Sequence, residues 1–226
     1  MIGVFDSGVG GLSAIKELRK IAKNADICFL ADRENAPYGT KTLDEIANFS
    51  KKNIEKLLSL GAEKILIACC TAGVAYKYLS ESERAVSLPI IDFAAKRALE
   101  LTKNGRIGVI ATKRTVEEKA FTKAIAAFSK SIDVFELEAQ AFVGMIENGA
   151  RDGNLTEEDK EKISSLLSPL LDKEIDTLIL GCTHFPHIEN EIGRFLGVKT
   201  VNPALEGALE IVKIANVSGN GRTIYV

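Results

Sequence analysis

Ile65-Leu66-Ile67-Ala68-Cys69-Cys70-Thr71 and Leu178-Ile179-Leu180-Gly181-Cys182-Thr183-His184 are near-copies of each other. Each is a short apolar run, then a small residue, then a thiol with a threonine close behind. Apolar runs of this length read as buried parallel strands. A chain that brings one thiol from each of two similar halves can place sulfur on both sides of a cleft. Such an arrangement suits a reaction that takes a proton from one face of a carbon and returns one to the other.

Outward from these runs the similarity continues in order. Ile2-Gly3-Val4-Phe5 recurs as Ile107-Gly108-Val109-Ile110, and Ile27-Cys28-Phe29-Leu30 lies opposite Ile132-Asp133-Val134-Phe135. Pro89-Ile90-Ile91-Asp92 resembles Lys199-Thr200-Val201-Asn202, and Ala98-Leu99-Glu100 returns as Ala208-Leu209-Glu210. Four strands in the same order indicate an internal duplication. The expected fold class is α/β: two pseudo-symmetric open sheets, mostly parallel, flanked by helices, with the active site in the cleft between them. Residues 1–93 with 204–216 form the first expected domain, 94–203 the second, and 217–226 a C-terminal tail with little to fold against.

Helix signals fill the gaps. Leu12, Ile15, Leu18 and Ile21 follow helical spacing within 11–23. Thr42 with Glu45 reads as a capping box, opening a helix that runs to Leu60 and stops at Gly61. Thr156 with Asp159 opens its counterpart, expected to run to about Leu171.

The 226 residues are 46% hydrophobic, enough for a full core, and 29 basic against 31 acidic groups leave a net charge of −2. No basic block suggests a nucleic-acid partner or a membrane surface. Met1-Ile2-Gly3-Val4-Phe5-Asp6 does not read as a signal peptide. The uncharged stretch from Ile65 to Tyr76 is shorter than the about 20 residues that span a bilayer. Four cysteines in a chain of this length read as reduced thiols, so the expected location is cytoplasmic.

In open parallel sheets, ligands bind at the carboxyl ends of the strands. Asp6-Ser7, Asn35 to Gly39, Cys69-Cys70-Thr71, Thr112, Glu147 and Cys182-Thr183-His184 fall at or just beyond those ends. Asp6-Ser7-Gly8-Val9-Gly10-Gly11 is neither a dinucleotide fingerprint nor a P-loop, since Ser13 stands where the third glycine belongs and no lysine follows. Asp6 reads equally as a cap for the next helix and as a catalytic base. Cys69 and Cys182, each between a strand and a helix start, sit where a thiol's pKa is expected to fall toward neutrality. Cys28, inside a strand, reads as a small buried hydrophobe. A metal site built from Cys69, Cys70, Cys182 and His184 is disfavoured, because adjacent cysteines fit one tetrahedral ion poorly. A Cys182–histidine hydrolase leaves Cys69 without a role. Two facing thiols that invert an α-carbon use both. Asp6 would assist Cys69, and Glu147 and His184 would assist Cys182.

These motifs resemble the glutamate racemases, the cofactor-independent group of the aspartate/glutamate racemase superfamily. Asp6-Ser7-Gly8-Val9-Gly10-Gly11-Leu12-Ser13, Pro37-Tyr38-Gly39, Phe142-Val143 with Ile146-Glu147, and Leu180-Gly181-Cys182-Thr183-His184-Phe185-Pro186 carry the resemblance over almost the whole chain. It implies an L-/D-glutamate interconversion that supplies peptidoglycan, needs no cofactor or metal, and runs in a homodimer. Cys69 and Cys182 would be the acid/base pair, helped by Asp6, Glu147 and His184. Ser7, Pro37, Tyr38, Gly39, Cys70, Thr71, Thr112 and Thr183 would hold the substrate. The chain departs from the family pattern at Cys70, where asparagine is usual, so an amide gives way to a weak thiol donor. It departs again at Gly73, at Asp92-Phe93-Ala94 and at Asn202-Pro203. Those departures leave aspartate or another amino acid as an alternative substrate. A binding protein with little turnover, or a lyase or hydrolase on the same scaffold, is also left open.

Overall fold

Alternating apolar runs and amphipathic segments build nine strands, all paired in parallel, in a computed structural model that describes all 226 residues. The first half comprises β1 (Ile2–Asp6), α1 (Leu12–Ile21), β2 (Ile27–Ala31), α2 (Leu43–Ser59), β3 (Lys64–Ile67), α3 (Cys70–Val74), α4 (Glu81–Val86) and β4 (Ser87–Pro89). After α5 (Ile90–Leu101) come β5 (Arg106–Ala111), α6 (Lys113–Glu117), α7 (Ala120–Phe128), β6 (Asp133–Glu138), α8 (Gln140–Glu147) and α9 (Glu157–Leu167). The chain closes with β7 (Thr177–Gly181), α10 (Glu189–Leu196), β8 (Lys199–Val201), α11 (Pro203–Ile214) and β9 (Thr223–Tyr225).

The first sheet runs β4-β3-β1-β2-β9 and the second β6-β5-β7-β8. Read from β4 and from β8, the two orders coincide strand for strand, as the internal repeat requires. β6 and β8 are shifted by two and three residues from their sequence matches to β2 and β4. Gly3 stands beside Cys28 and Ile65, and Gly108 beside Phe135 and Leu178, so β3 and β7 correspond as the repeat has them. Each sheet therefore offers equivalent strand ends to the cleft.

Two details differ from the sequence reading. The last residues do find a partner: β9 adds a fifth strand against β2, and Arg19 anchors it through hydrogen bonds to the Arg222 carbonyl and the Thr223 hydroxyl. The second-half helix stops at Leu167, and residues 168–173 tighten into a 3-10 turn. Pro169 explains this, because it lacks the N–H that would continue the α-helix. The first helix spans its apolar series, Leu12–Ile21, inside the expected 11–23, and has no side-chain cap. Both capping boxes form, Thr42 with Glu45 and Thr156 with Asp159.

The largest cluster of buried side chains belongs to both halves. Val4, Ile27 and Phe29 of the first sheet join Ile107, Val109 and Ile179 of the second through Ile90, Ala94, Ala98, Ala208 and Ile211 of α5 and α11. Separate clusters cover the far faces, with Phe5, Ile54, Leu57 and Ile65 on one side and Phe142, Ile163, Leu180 and Phe185 on the other. No helix is long and apolar enough to cross a membrane.

Candidate active site

β1, β3, β5 and β7 end at one cavity of about 50 Å³ between the sheets. All eight residues expected to hold the substrate line it: Ser7, Pro37, Tyr38, Gly39, Cys70, Thr71, Thr112 and Thr183. So do Cys69, Cys182, Glu147 and His184. Asp6 lies just behind the lining and is fully buried.

Cys69 follows β3 and caps α3, its Sγ accepting from the Ala72 amide at 3.4 Å and standing 3.3 Å from Ser7 Oγ. Cys182 follows β7. The chain bends at once, Cys182 N donating to Leu180 O and Phe185 N to Cys182 O. That bend brings His184 Nδ1 to 3.6 Å from Cys182 Sγ, a geometry that two-residue spacing alone does not provide. His184 Nε2 stands 3.3 Å from Glu147 Oε1, within ion-pair range but without hydrogen-bond alignment.

Asp6 ties the two halves together. Its Oδ2 accepts from the Gly8 amide at 2.9 Å and its Oδ1 from the Thr183 hydroxyl at 3.2 Å. It does not cap α1, whose cap position is Gly11. A second bridge links Thr71 Oγ1 to Thr112 Oγ1 at 2.9 Å, and Thr115 completes the hydroxyl triangle. Behind the Pro37-Tyr38-Gly39 turn, the Tyr38 hydroxyl donates to Asp32 at 2.5 Å, and Asn53 and Asn35 also donate to that carboxylate.

Burial governs the electrostatics, and it overturns one expectation. Both thiols are pushed up, where a helix start was expected to lower them. Desolvation and then the Asp6 charge carry Cys69 to about 11, against the opposing hydrogen bonds of Ser7 and Ala72. Cys182 is raised in the same sense, mainly by desolvation. Desolvation also lifts the Asp6 carboxyl above the usual range, although His184, Gly8, Thr183 and Gly11 favour its charge. Burial, followed by the neighbouring thiols and Asp6, raises Cys70 well above the ordinary thiol value. The strand-to-helix rule fails here because α3 is only five residues long and both thiols are buried. Cys69, Cys70, Cys182 and His184 do not converge as a metal-holding group.

Gly8, Ala36 and Val143 also line the cavity, from motifs the sequence reading quoted without giving them a role, and Gln140 escaped that reading altogether. Gln140 could have been found by carrying the strand-end rule to β6, whose helix it opens.

Two thiols from equivalent strand ends, each with a polar partner, line one cavity and are able to exchange protons with a molecule held there. The chain belongs to the Asp/Glu/Hydantoin racemase family, whose model matches residues 2–211, and it is an amino-acid racemase. Individual relatives are more particular. The chain is 36% identical over 206 residues to the glutamate racemase of Desulforudis audaxviator, covering 90% of this chain and 74% of that one. The glutamate racemase isoform RacE1 of Bacillus anthracis superposes with a TM-score of 0.89 at 30% identity, over 100% of this chain and 86% of that one. The glutamate racemase of Francisella tularensis, solved in complex with D-glutamate, also gives 0.89, at 31% identity over 99% and 86%.

Proposed function

We propose that this chain interconverts L- and D-glutamate without a cofactor, using Cys69 and Cys182 as the proton-transferring pair. One observation carries the reading: the two thiols come from equivalent strand ends of the two halves and line a single cavity. One thiolate takes the α-proton. The thiol opposite donates its own proton to the other face, so the product is the mirror image and the two sulfurs have exchanged roles. The raised thiols define a resting site with both sulfurs protonated. An α-ammonium seated beside one sulfur, with the substrate carboxylates turned away from it, favours that thiolate. Asp6 would accept the proton that Cys69 releases, and the His184–Glu147 pair would serve Cys182 in the reverse direction. The hydroxyls of Thr71, Thr112 and Thr183 suit the substrate carboxylates.

By this reading the protein works in the cytoplasm as a homodimer and supplies D-glutamate for peptidoglycan. Circular dichroism of L-glutamate, with chromatography of the products, tests the reaction; aspartate is the comparison arm. Decay of the signal to zero with only the two enantiomers present supports it. An unchanged signal for glutamate, or a new compound, contradicts it. Rescue of a D-glutamate auxotroph tests the cell-wall role, and sedimentation the dimer.

A further inference from the structure

Gln140 opens α8, and it is the only carboxamide in the cavity lining. Cys70, in the same lining, adds only a weak thiol donor. The Oε1 atom of Gln140 is buried and has no hydrogen-bond partner. A buried polar atom left this way is costly, and a ligand is one way such an atom is completed. The neighbouring loop makes room for it: a Cβ on Gly39 would come within 2.6 Å of Gln140 Oε1 and 3.5 Å of the Thr112 Cβ. A side chain at position 39 would therefore push the carboxamide out of the site.

The surroundings indicate which group it meets. The thiols have Ser7 and His184 as their partners, and Asp6 is held by Gly8 and Thr183. Gln140 and Thr112 both border Gly39, and Thr112 carries the hydroxyl triangle with Thr71 and Thr115. Hydroxyl donors and a carboxamide that are not hydrogen-bonded to either reacting sulfur suit the oxygens of an anion. Turning the carboxamide end for end replaces Oε1 with a two-proton donor.

We infer that Gln140 is a specificity-determining residue whose carboxamide binds the carboxylate of the substrate remote from the reacting carbon. The inference rests on the glutamate reading above. The test measures kcat and KM for wild type, Gln140→Leu and Gln140→Glu, on glutamate and on glutamine, whose remote group is neutral. Wild-type turnover of glutamate is checked first; its absence overturns the parent reading, and this inference with it. The expected result for Gln140→Leu is a rise in KM for glutamate of about tenfold or more, the size of a lost hydrogen bond to a charged group, with kcat within about threefold. Gln140→Glu should raise that KM further, since it sets a carboxylate against a carboxylate. Both losses should be at least about fivefold smaller for glutamine. A KM for glutamate within twofold of wild type in both variants overturns the inference. So does an equal loss on both substrates, which would mark a merely structural role. If Gln140→Leu does not fold, the Gln140→Glu comparison decides alone.

Discussion

Cys69 shows what burial does to a residue whose sequence context points the other way. Its thiol rises from 9.0 to about 11 because water is excluded and Asp6 stands near. The unfolded chain ionises at the lower value, so the neutral thiol contributes its full stability below pH 9. That contribution is lost as pH climbs from 9 to 11, and two units correspond to about 3 kcal/mol. Cys69→Ser should therefore lose less stability than wild type across that window in denaturant titrations. The wild-type minus Cys69→Ser thiolate absorbance should likewise rise near pH 11. A step near pH 7 would show instead that the helix start prevails. Residue type and place were legible for both thiols from their repeated strand ends. The direction of their shift was not, because it depends on how completely the two halves exclude water. The place of Gln140 beyond β6 was readable by the strand-end rule, but the burial of its unpaired amide oxygen shows only in the packed cavity.

At the scale of elements, strand positions and capping boxes were readable because they depend on local spacing. The loop after β1 depends on contact across the cleft. A Cβ on Gly10 would lie 2.3 Å from Thr183 Oγ1 and 2.7 Å from His184 Nδ1. That loop packs against the Cys182 loop with no space for a methyl group. Gly10→Ala should force the two strand ends apart, lowering racemisation by about 100-fold, as a displacement near 1 Å can. The cost in stability should be smaller, about 1–3 kcal/mol. Activity near the wild-type level would mean that the loops separate freely. The β9 pairing was hidden because three residues carry little periodic signal, and their register comes from Arg19 and the β2 edge.

The whole molecule is where the sequence was least explicit. Its internal repeat suggested two units, and the strand orders repeat faithfully. Yet α5 and α11 bury one continuous core between the sheets. Shared burial of that kind couples the halves, so denaturant unfolding should follow a single transition, coincident by far-ultraviolet circular dichroism and by hydrogen exchange in β1 and β5. Two separated transitions would contradict the shared core. The cavity of about 50 Å³ is far below the roughly 300 Å³ at which ligand sites begin. The Thr71–Thr112 and Asp6–Thr183 bridges hold the two halves together across this small cavity.

The central claim is that two thiols act on opposite faces of one carbon. Racemisation of L-glutamate in D2O, stopped early, tests it most directly by the deuterium content of each enantiomer. A monoprotic thiol that removes the α-proton can return only that proton to its own face, whereas the opposite thiol delivers deuterium. The account predicts D-glutamate carrying α-deuterium while the remaining L-glutamate stays protiated. Deuterium appearing equally in both enantiomers, or protium retained in the D-product, would contradict it.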